Sequence, residues 1–207
     1  MKKYGIRSRR RKKKYDYPGK SDITFANLAN DSEVKLSAVG IIFSDIFEFK
    51  LADATKIRGC FALKKETRQI LSLIFDYSMR ADLVVTTIKR IDLVDFNSIW
   101  HSDQGKQYGA RITIAALLEK GFIASMSRAG TPTDNPFAER FVGSFKHAVV
   151  RRRKYHTLGE FLEAAKLWIN FYNNRRPHES LGQISPNEYA LKNNMKIVPY
   201  LTNLTVY

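Results

Sequence analysis

The hydrophobic pattern of the chain shifts between the alternation typical of strands and the spacing typical of helices. Residues 39–49 read VGIIFSDIFEF, a run of Val, Ile and Phe that predicts a first strand. Two similar runs, 55–65 and 68–75, lie on either side of Glu66 and Thr67 and predict a hairpin. The pattern therefore begins with three antiparallel strands.

Helical and extended segments alternate after the hairpin. Helices are predicted near 81–91 and over 111–120, and Gly121 stands at the usual position just after the second one. Short apolar strands are predicted at 98–101 and 122–125. This order of elements predicts an α/β fold with a mixed sheet.

A further helix is predicted to begin at Asn135 and Pro136, a helix cap followed by proline at the first helical position. Glu139 and Lys146 are two turns apart and share one face of this helix. Apolar residues at helical spacing mark its buried face: Phe137, Phe141, Phe145, Ala148 and Val149. One face therefore packs, while another presents an acid and a base.

The C-terminal part contains one more predicted helix, over residues 157–172. Thr157 and Glu160 form a capping box at its start, and Pro177 prevents its continuation. Its apolar stripe is predicted to face the core rather than a partner. Residues 193–207 show no pattern that assigns a structure.

Composition restricts the class of protein. The 207 residues are 44% hydrophobic and 12% aromatic, which suffices for the core of one domain with appendages. The formal net charge of +15 indicates a polyanionic partner, and nucleic acid is favoured over an anionic membrane. No stretch has the pattern of a membrane span or a signal peptide. The single cysteine, Cys60, fits a buried thiol in a reducing cytoplasm.

Basic residues are concentrated in two segments. Residues 1–20 hold ten Lys or Arg against one acid. Their unbroken block consists of Arg9, Arg10, Arg11, Lys12, Lys13 and Lys14. It predicts a disordered arm that binds nucleic acid with strong salt dependence, the alternative being a solubilising tail. The second cluster, predicted to extend the Glu139 helix, consists of Arg151, Arg152, Arg153 and Lys154. It either contacts DNA phosphates or complements the helix dipole.

Several acids are placed where they can bind a metal ion. Asp45 interrupts the first apolar strand, where a carboxylate is costly to bury unless it is paired or metal-bound. Asp103 follows another strand, and 35 residues separate it from Glu139. Carboxylates on rigid elements bind Mg²⁺, and two such ions about 3.5–4 Å apart promote in-line displacement at phosphorus. Each acid taken alone also fits a solvated surface residue.

Five motifs in a fixed order resemble the catalytic domain of bacterial insertion-sequence transposases. They are HSDQG at 101–105, SMSR at 125–128, TDNPFAE at 133–139, NFYN at 170–173 and RRPHESLG at 175–182. The resemblance covers residues 39–190 and implies a retroviral-integrase-like, ribonuclease-H-like fold with a five-stranded mixed sheet flanked by helices. The expected organisation is a basic arm and linker over 1–35, a catalytic core over 36–192 and an unassigned tail over 193–207. Relative to this family the chain is expected to be truncated at its N-terminus.

The resemblance implies an Asp-Asp-Glu triad, and two residues compete for its first position. Arg68 follows Asp45 by 23 residues and Asp53 by 15, and the longer spacing matches the family. Asp53 also lies in a predicted turn, where a solvated Asp is usual. The expected catalytic and metal-binding residues are Asp45, Asp103 and Glu139.

The implied function is a transposase or integrase catalytic domain that cleaves and transfers DNA strands with Mg²⁺, or with Mn²⁺ in its place. The expected DNA-binding residues are Lys146, Arg151, Arg152 and Arg153, together with the block from Arg9 to Lys14. The expected partners are double-stranded DNA at element ends and target, further copies of the chain and a separate helix-turn-helix DNA-recognition chain, with no membrane. The expected location is the bacterial cytoplasm, at the nucleoid. Two alternatives are a truncated, non-catalytic DNA-binding remnant and an enzyme that cuts RNA–DNA hybrids.

Overall fold

The structure is a computed structural model, and it describes residues 19, 21–31, 40–92, 97–201 and 204. The predicted basic block from Arg9 to Lys14 lies outside the described residues, so its role as a DNA-binding arm stays a prediction. Within the described residues, no helix has the length and apolar character that crossing a membrane requires.

One five-stranded mixed sheet forms the centre of the fold, in the order β3-β2-β1-β4-β5. Its strands are β1 (Ile41–Lys50), β2 (Lys56–Lys64), β3 (Ile70–Asp76), β4 (Ile99–Ser102) and β5 (Ile123–Met126). The first three pair antiparallel, whereas β4 and β5 continue the sheet in parallel with β1. The predicted strands and the predicted five-stranded fold are confirmed.

Helices cover both faces of this sheet. They are α1 (Ala81–Lys89), α2 (Arg111–Glu119), α3 (Pro136–Phe145), α4 (Leu158–Asn174) and α5 (Pro186–Lys192). Gly121 follows α2 with a φ of 73°, the left-handed conformation expected of glycine after a helix. The capping box of α4 is confirmed, because the Glu160 backbone N–H donates to Thr157 Oγ1 over 3.2 Å. The short helix α5 was not predicted.

Successive side chains of each strand point to opposite faces of the sheet, which divides the core into two clusters. Side chains such as Phe47, Phe61 and Phe75 point to the face covered by α3 and α4 and form an aromatic cluster with Phe145 and Phe161. Side chains at the intervening positions, such as Ile42 and Trp100, pack against α1 and α2. Each fully buried large side chain contributes about 1.5–3 kcal/mol. The sheet is therefore held from both sides.

Two short segments differ from their predictions. Residues Leu28–Asn30, predicted as part of a linker, form a 3₁₀ turn whose Ala29 is buried against the core. The helix after Phe145 changes to a π-helical segment, Lys146–Val150, and ends there. Arg151, Arg152, Arg153 and Lys154 therefore do not extend the helix; they follow it as an exposed turn and extended segment. The wider π-helical turn shifts the side chains that follow it relative to ordinary helical spacing.

Asn173 of α4 closes the outer edge of the sheet at β3. Its Oδ1 accepts from the Ile70 backbone N–H over 2.9 Å, and its Nδ2 donates to the Ile70 carbonyl over 3.0 Å. The side chain thus reproduces the two hydrogen bonds that a further strand would make. Both partners are buried, so neither backbone group has water as a substitute.

We expect Asn173→Ala to lower the free energy of unfolding by about 2–4 kcal/mol, because it leaves two buried backbone groups without partners. Urea denaturation measures the change. Glu163→Ala on the exposed side of the same helix removes only a surface ion pair with Lys166 and should cost less than about 1 kcal/mol. Equal effects of the two substitutions would contradict this role of Asn173.

Candidate active site

The two aspartates lie next to each other because of the parallel pairing of β1 with β4. Phe43 is paired with His101 in the register of these strands. Continuing that register by two residues places Asp103 beside Asp45. Asp45 lies two residues after Phe43 and Asp103 two residues after His101, so both side chains point to the same face of the sheet as Phe43. The Phe43 side chain lies on the α3 face and contacts Phe137 of that helix. The two carboxylates therefore lie side by side on the α3 face of the sheet.

Glu139 reaches the same region from the first turn of α3. The start of this helix is fixed to β1 by Asn135, whose Nδ2 donates to the Ser44 carbonyl over 3.2 Å. Asn135 occupies the predicted N-cap position of α3, but its side chain does not make the capping hydrogen bond expected of that position. Its amide instead binds the residue next to Asp45. Helix and strand are thereby held together at the point where the acids lie.

The loop before α3 depends on a residue that sequence reasoning did not select. Asp134 is buried, and its two carboxylate oxygens accept from the side chains of Asn27 and Asn30 and from Arg128. Arg128 donates three times, from its backbone N–H and from its guanidinium Nε and Nη2, over 2.9–3.0 Å. These hydrogen bonds hold the pKa of Asp134 well below its usual range, at about 2. Asp134 thus ties the segment at Asn27 to the loop that leads into the Glu139 helix.

The acids interact electrostatically. The pKa of Asp45 is raised to about 7, first by burial and then by the charge of Asp103, with a smaller contribution from Glu139. The Ile46 backbone N–H, which donates to Asp45 Oδ1 over 2.7 Å, and the charge of Lys146 act in the opposite direction. Asp103 reaches the surface, yet desolvation by the surrounding protein raises its pKa as well. Carboxylates that disfavour each other's charge are a suitable donor set for a cation.

The acids do not form a closed metal site as they stand. Among the described residues, no group of three His, Cys, Asp or Glu side chains is close enough to hold a metal ion. One oxygen of Asp45 accepts from a backbone N–H, and Oδ1 of Asp103 accepts from the Gly105 N–H over 3.0 Å. Glu139 is exposed. The topology brings the three residues to one region, and their side chains remain separate within it.

Lys146 is the predicted DNA-binding residue nearest in sequence to these acids. Its Nζ lies 5.8 Å from the centre of the Phe47 ring, and its charge acts on Asp45. It therefore faces the acid region from the far end of α3. Arg151, Arg152 and Arg153 lie beyond the π-helical segment and are exposed.

Other candidate residues have structural roles. His101 is fully buried between the hydroxyls of Ser125 and Ser127, at 2.8 and 2.9 Å, and burial lowers its pKa to about 4. Cys60 is buried in the core, as predicted. Asp53, the competitor for the first acid, accepts from Thr55 in the exposed turn after β1.

Comparison with known proteins agrees with this geometry. A family model described as Integrase core domain matches residues 120–186. The transposase for insertion sequence element IS629 of Shigella sonnei is 36% identical over 91 residues, 44% of this chain and 31% of that protein. These similarities support an insertion-sequence transposase catalytic domain of the integrase-like family. The chain also matches an insertion element IS407 protein from Burkholderia multivorans, of which it covers 52%. It therefore spans about half or less of the length of the first curated relatives it matches.

Solved structures share the fold of this chain. The crystal structure of the catalytic core domain of BIV integrase covers 74% of this chain and 95% of its own, with a TM-score of 0.56 and 16% identity. The HTLV-2 integrase catalytic core domain, solved in complex with magnesium, covers 70% and 91%, with a TM-score of 0.55 and 12% identity. At such identities the likeness concerns the arrangement of strands and helices.

Asp134→Asn tests whether the buried carboxylate fixes the start of the Glu139 helix. At neutral pH we expect the free energy of unfolding to fall by about 2–3 kcal/mol, the contribution of a carboxyl group with this pKa shift. Because the folded-state pKa of about 2 lies below the ordinary 3.8, the contribution is present above 3.8 and is lost as the pH falls through 2. Urea denaturation of both proteins over this pH range measures the difference.

Asp22→Asn provides the matched control for Asp134→Asn. Asp22 is exposed and should change stability by less than about 0.5 kcal/mol. A difference between wild type and Asp134→Asn that stays constant down to pH values near 2 would rule out the charge of Asp134 as the cause.

Proposed function

We propose that this chain is the catalytic part of a transposase that cleaves DNA strands and transfers them. The observation that supports this most is that Asp45 and Asp103 come from two neighbouring parallel strands and Glu139 from the first turn of α3, so that the charges of Asp103 and Glu139 both act on Asp45. The match to integrase core domains and the likeness to insertion-sequence transposases support the same reaction class. In such a reaction a water molecule attacks one phosphodiester and releases a 3′-hydroxyl group. That hydroxyl then attacks a second phosphodiester, and the 3′-oxygen of the broken bond leaves.

Asp45, Asp103 and Glu139 are the residues that would hold divalent metal ions, Mg²⁺ in the first place and Mn²⁺ as a substitute. Their chemistry fits, because hard cations bind carboxylate oxygens, and a bound cation would offset the burial and the charge of Asp103 that raise the pKa of Asp45. The magnesium complex of the HTLV-2 integrase core is consistent with this choice of ion. When bound, such an ion activates the attacking oxygen and stabilises the leaving one.

The remaining task of the protein is to position the DNA, because phosphoryl transfer needs no covalent nucleophile from the enzyme. Lys146 faces the acids from α3 and is suited to hold a phosphate near the reacting bond. Arg151, Arg152 and Arg153 are exposed beyond it and are suited to contact the backbone farther along. Double-stranded DNA is the proposed substrate. Assembly of several copies on DNA, a separate helix-turn-helix partner and a nucleoid location belong to the same proposal.

Asp45→Asn and Glu139→Gln should each abolish Mg²⁺-dependent cleavage of duplex DNA while DNA binding persists. The substituted amides keep the shape of the side chains but remove the charge that holds a cation. We expect at least a ~10³-fold loss, in line with the size of electrostatic terms in such sites. Nicking of a supercoiled plasmid with Mg²⁺, and with EDTA instead, measures the activity.

Asp53→Asn is the matched control, because it removes the competing acid from an exposed turn. It should cleave like the wild type. Full cleavage by Asp45→Asn together with loss in Asp53→Asn would reassign the first acid. Salt-sensitive DNA binding without any cleavage by the wild type would instead identify a non-catalytic DNA-binding protein.

A further inference from the structure

Three arginines that the catalytic proposal does not use lie near one another beside α3. Arg68 comes from the turn before β3, Arg140 from α3 directly after Glu139, and Arg176 from the segment after α4. Phe137 and Arg140 are three residues apart and share one side of the helix. The Arg68 guanidinium lies over the Phe137 ring, with Cζ 4.3 Å from its centre. Arg68 and Arg140 are thereby placed side by side.

Arg176 lies near this pair, packed on the aromatic ring of Tyr172. Its Cζ lies 5.3 Å from the centre of the Tyr172 ring, and Tyr172 packs edge-on against Phe141 of α3 at 5.8 Å. Arg68 also reaches the segment after α4, where its Nε donates to Ser180 Oγ over 3.4 Å. The three guanidinium groups therefore surround one patch, and two of them are held in place by rings rather than free in solvent.

The charges of these arginines are compensated only weakly by acids. None of the three forms an ion pair with Asp or Glu in the part of the chain that the structure describes. Glu66, whose charge acts on Arg68, accepts instead from the Ile41 backbone N–H over 3.2 Å. Burial lowers the pKa of Arg68, and the neighbouring charge of Arg140 acts in the same direction. Gathering like charges costs free energy in the isolated protein, and an anion on the patch offsets that cost.

Two details favour a ligand over a merely solvated basic surface. Arg68 has a φ of 61°, a left-handed backbone conformation that favours glycine, so the chain holds an arginine where a smaller residue would be more stable. The second detail is His178, which lies near Arg68 and Arg176. Burial and then the charges of Arg176 and Arg68 lower the pKa of His178 to about 4. His178 is therefore neutral at physiological pH and adds no charge of its own. The positive field is carried by guanidinium groups, which bind phosphate oxygens in pairs.

We propose that Arg68, Arg140 and Arg176 form an arginine clamp that binds a backbone phosphate of the DNA beside the cleavage site. The clamp and Glu139 lie on different sides of the first turn of α3, and a helix with its side chains is about 10–12 Å across. A DNA strand held by the clamp thus passes within one helix width of the acids. This inference rests on the proposed DNA substrate, and it assigns to the segment after α4 a direct contact with that substrate.

The test is the affinity of the full chain for a fluorescein-labelled DNA duplex of arbitrary sequence, measured by fluorescence anisotropy at several NaCl concentrations in EDTA. Each phosphate contact adds about 0.9 to the slope of log affinity against log salt concentration. The Arg140→Ala/Arg176→Ala variant should therefore lose about one in this slope. At physiological salt it should bind about 10-fold more weakly or worse.

The control carries the same change of charge on the opposite face of the sheet. Arg80→Ala/Arg111→Ala removes two exposed arginines next to α1 and α2 and should leave the slope at the wild-type value. Equal losses in both double variants, or no loss in either, would overturn the clamp. Thermal unfolding of each variant, followed by circular dichroism, should match the wild type, because the affinity is compared between folded proteins.

The same experiment separates the clamp from the catalytic proposal. EDTA removes divalent metal ions, so binding is read without strand cleavage. If the wild type never cleaves DNA with Mg²⁺ but the slope falls only in Arg140→Ala/Arg176→Ala, the clamp stands and the catalytic proposal falls. If the wild type cleaves DNA and the slopes of both variants agree, the clamp falls and the catalytic proposal stands.

Discussion

Parallel pairing of β1 with β4 determines where the acidic residues of this domain meet. Asp45 and Asp103 are far apart in sequence, and the register that pairs Phe43 with His101 brings them side by side on the two neighbouring inner strands. A slip of one residue would move one of the two side chains to the α1 and α2 face, because neighbouring residues of a strand point to opposite sides. The register is protected from both faces. Phe43 packs on Phe137 above the sheet, while Ile42 and Trp100 are buried in the core below it.

Burial of Asp45 is unfavourable and is compensated only in part. A carboxylate on a central strand loses hydration, and the charge of Asp103 adds to that cost, whereas the Ile46 backbone N–H and Lys146 reduce it. The surrounding aromatic core can absorb such a cost, because Phe47, Phe61 and Phe141 are almost completely buried under α3 and α4. Rigid packing on one side and an uncompensated charge on the other are a common combination in active sites, where stability is given up for chemistry.

The sequence allowed the fold to be predicted wherever local patterns decide the structure, and its limits lie in contacts between distant residues. Apolar runs predicted all five strands, and the unusual place of the charged Asp45 within the first run was visible in the sequence itself. The roles of Asn135 and Asp134 were not, because their partners Ser44 and Asn27 lie 91 and 107 residues away. Asn135 has the sequence position of an ordinary helix cap, and only the folded chain shows that its amide binds β1 instead. The π-helical end of the Glu139 helix has no local signal either.

On the proposed function, charges of opposite sign act on the same DNA substrate, and they belong to different residues around α3. A phosphate that approaches the three carboxylates is repelled, by about 4 kcal/mol for unit charges 4 Å apart near a protein surface. Basic groups have to supply the attraction, and they lie on neighbouring sides of the same helix: Lys146 near the acids and Arg140 beside Phe137. Because the proposed acids and bases are different residues, affinity for DNA and reactivity toward it could be changed independently by substitution. The net charge of +15 favours the approach of a polyanion to the chain as a whole, and in the proposed function the acids would determine only where a bound phosphodiester reacts.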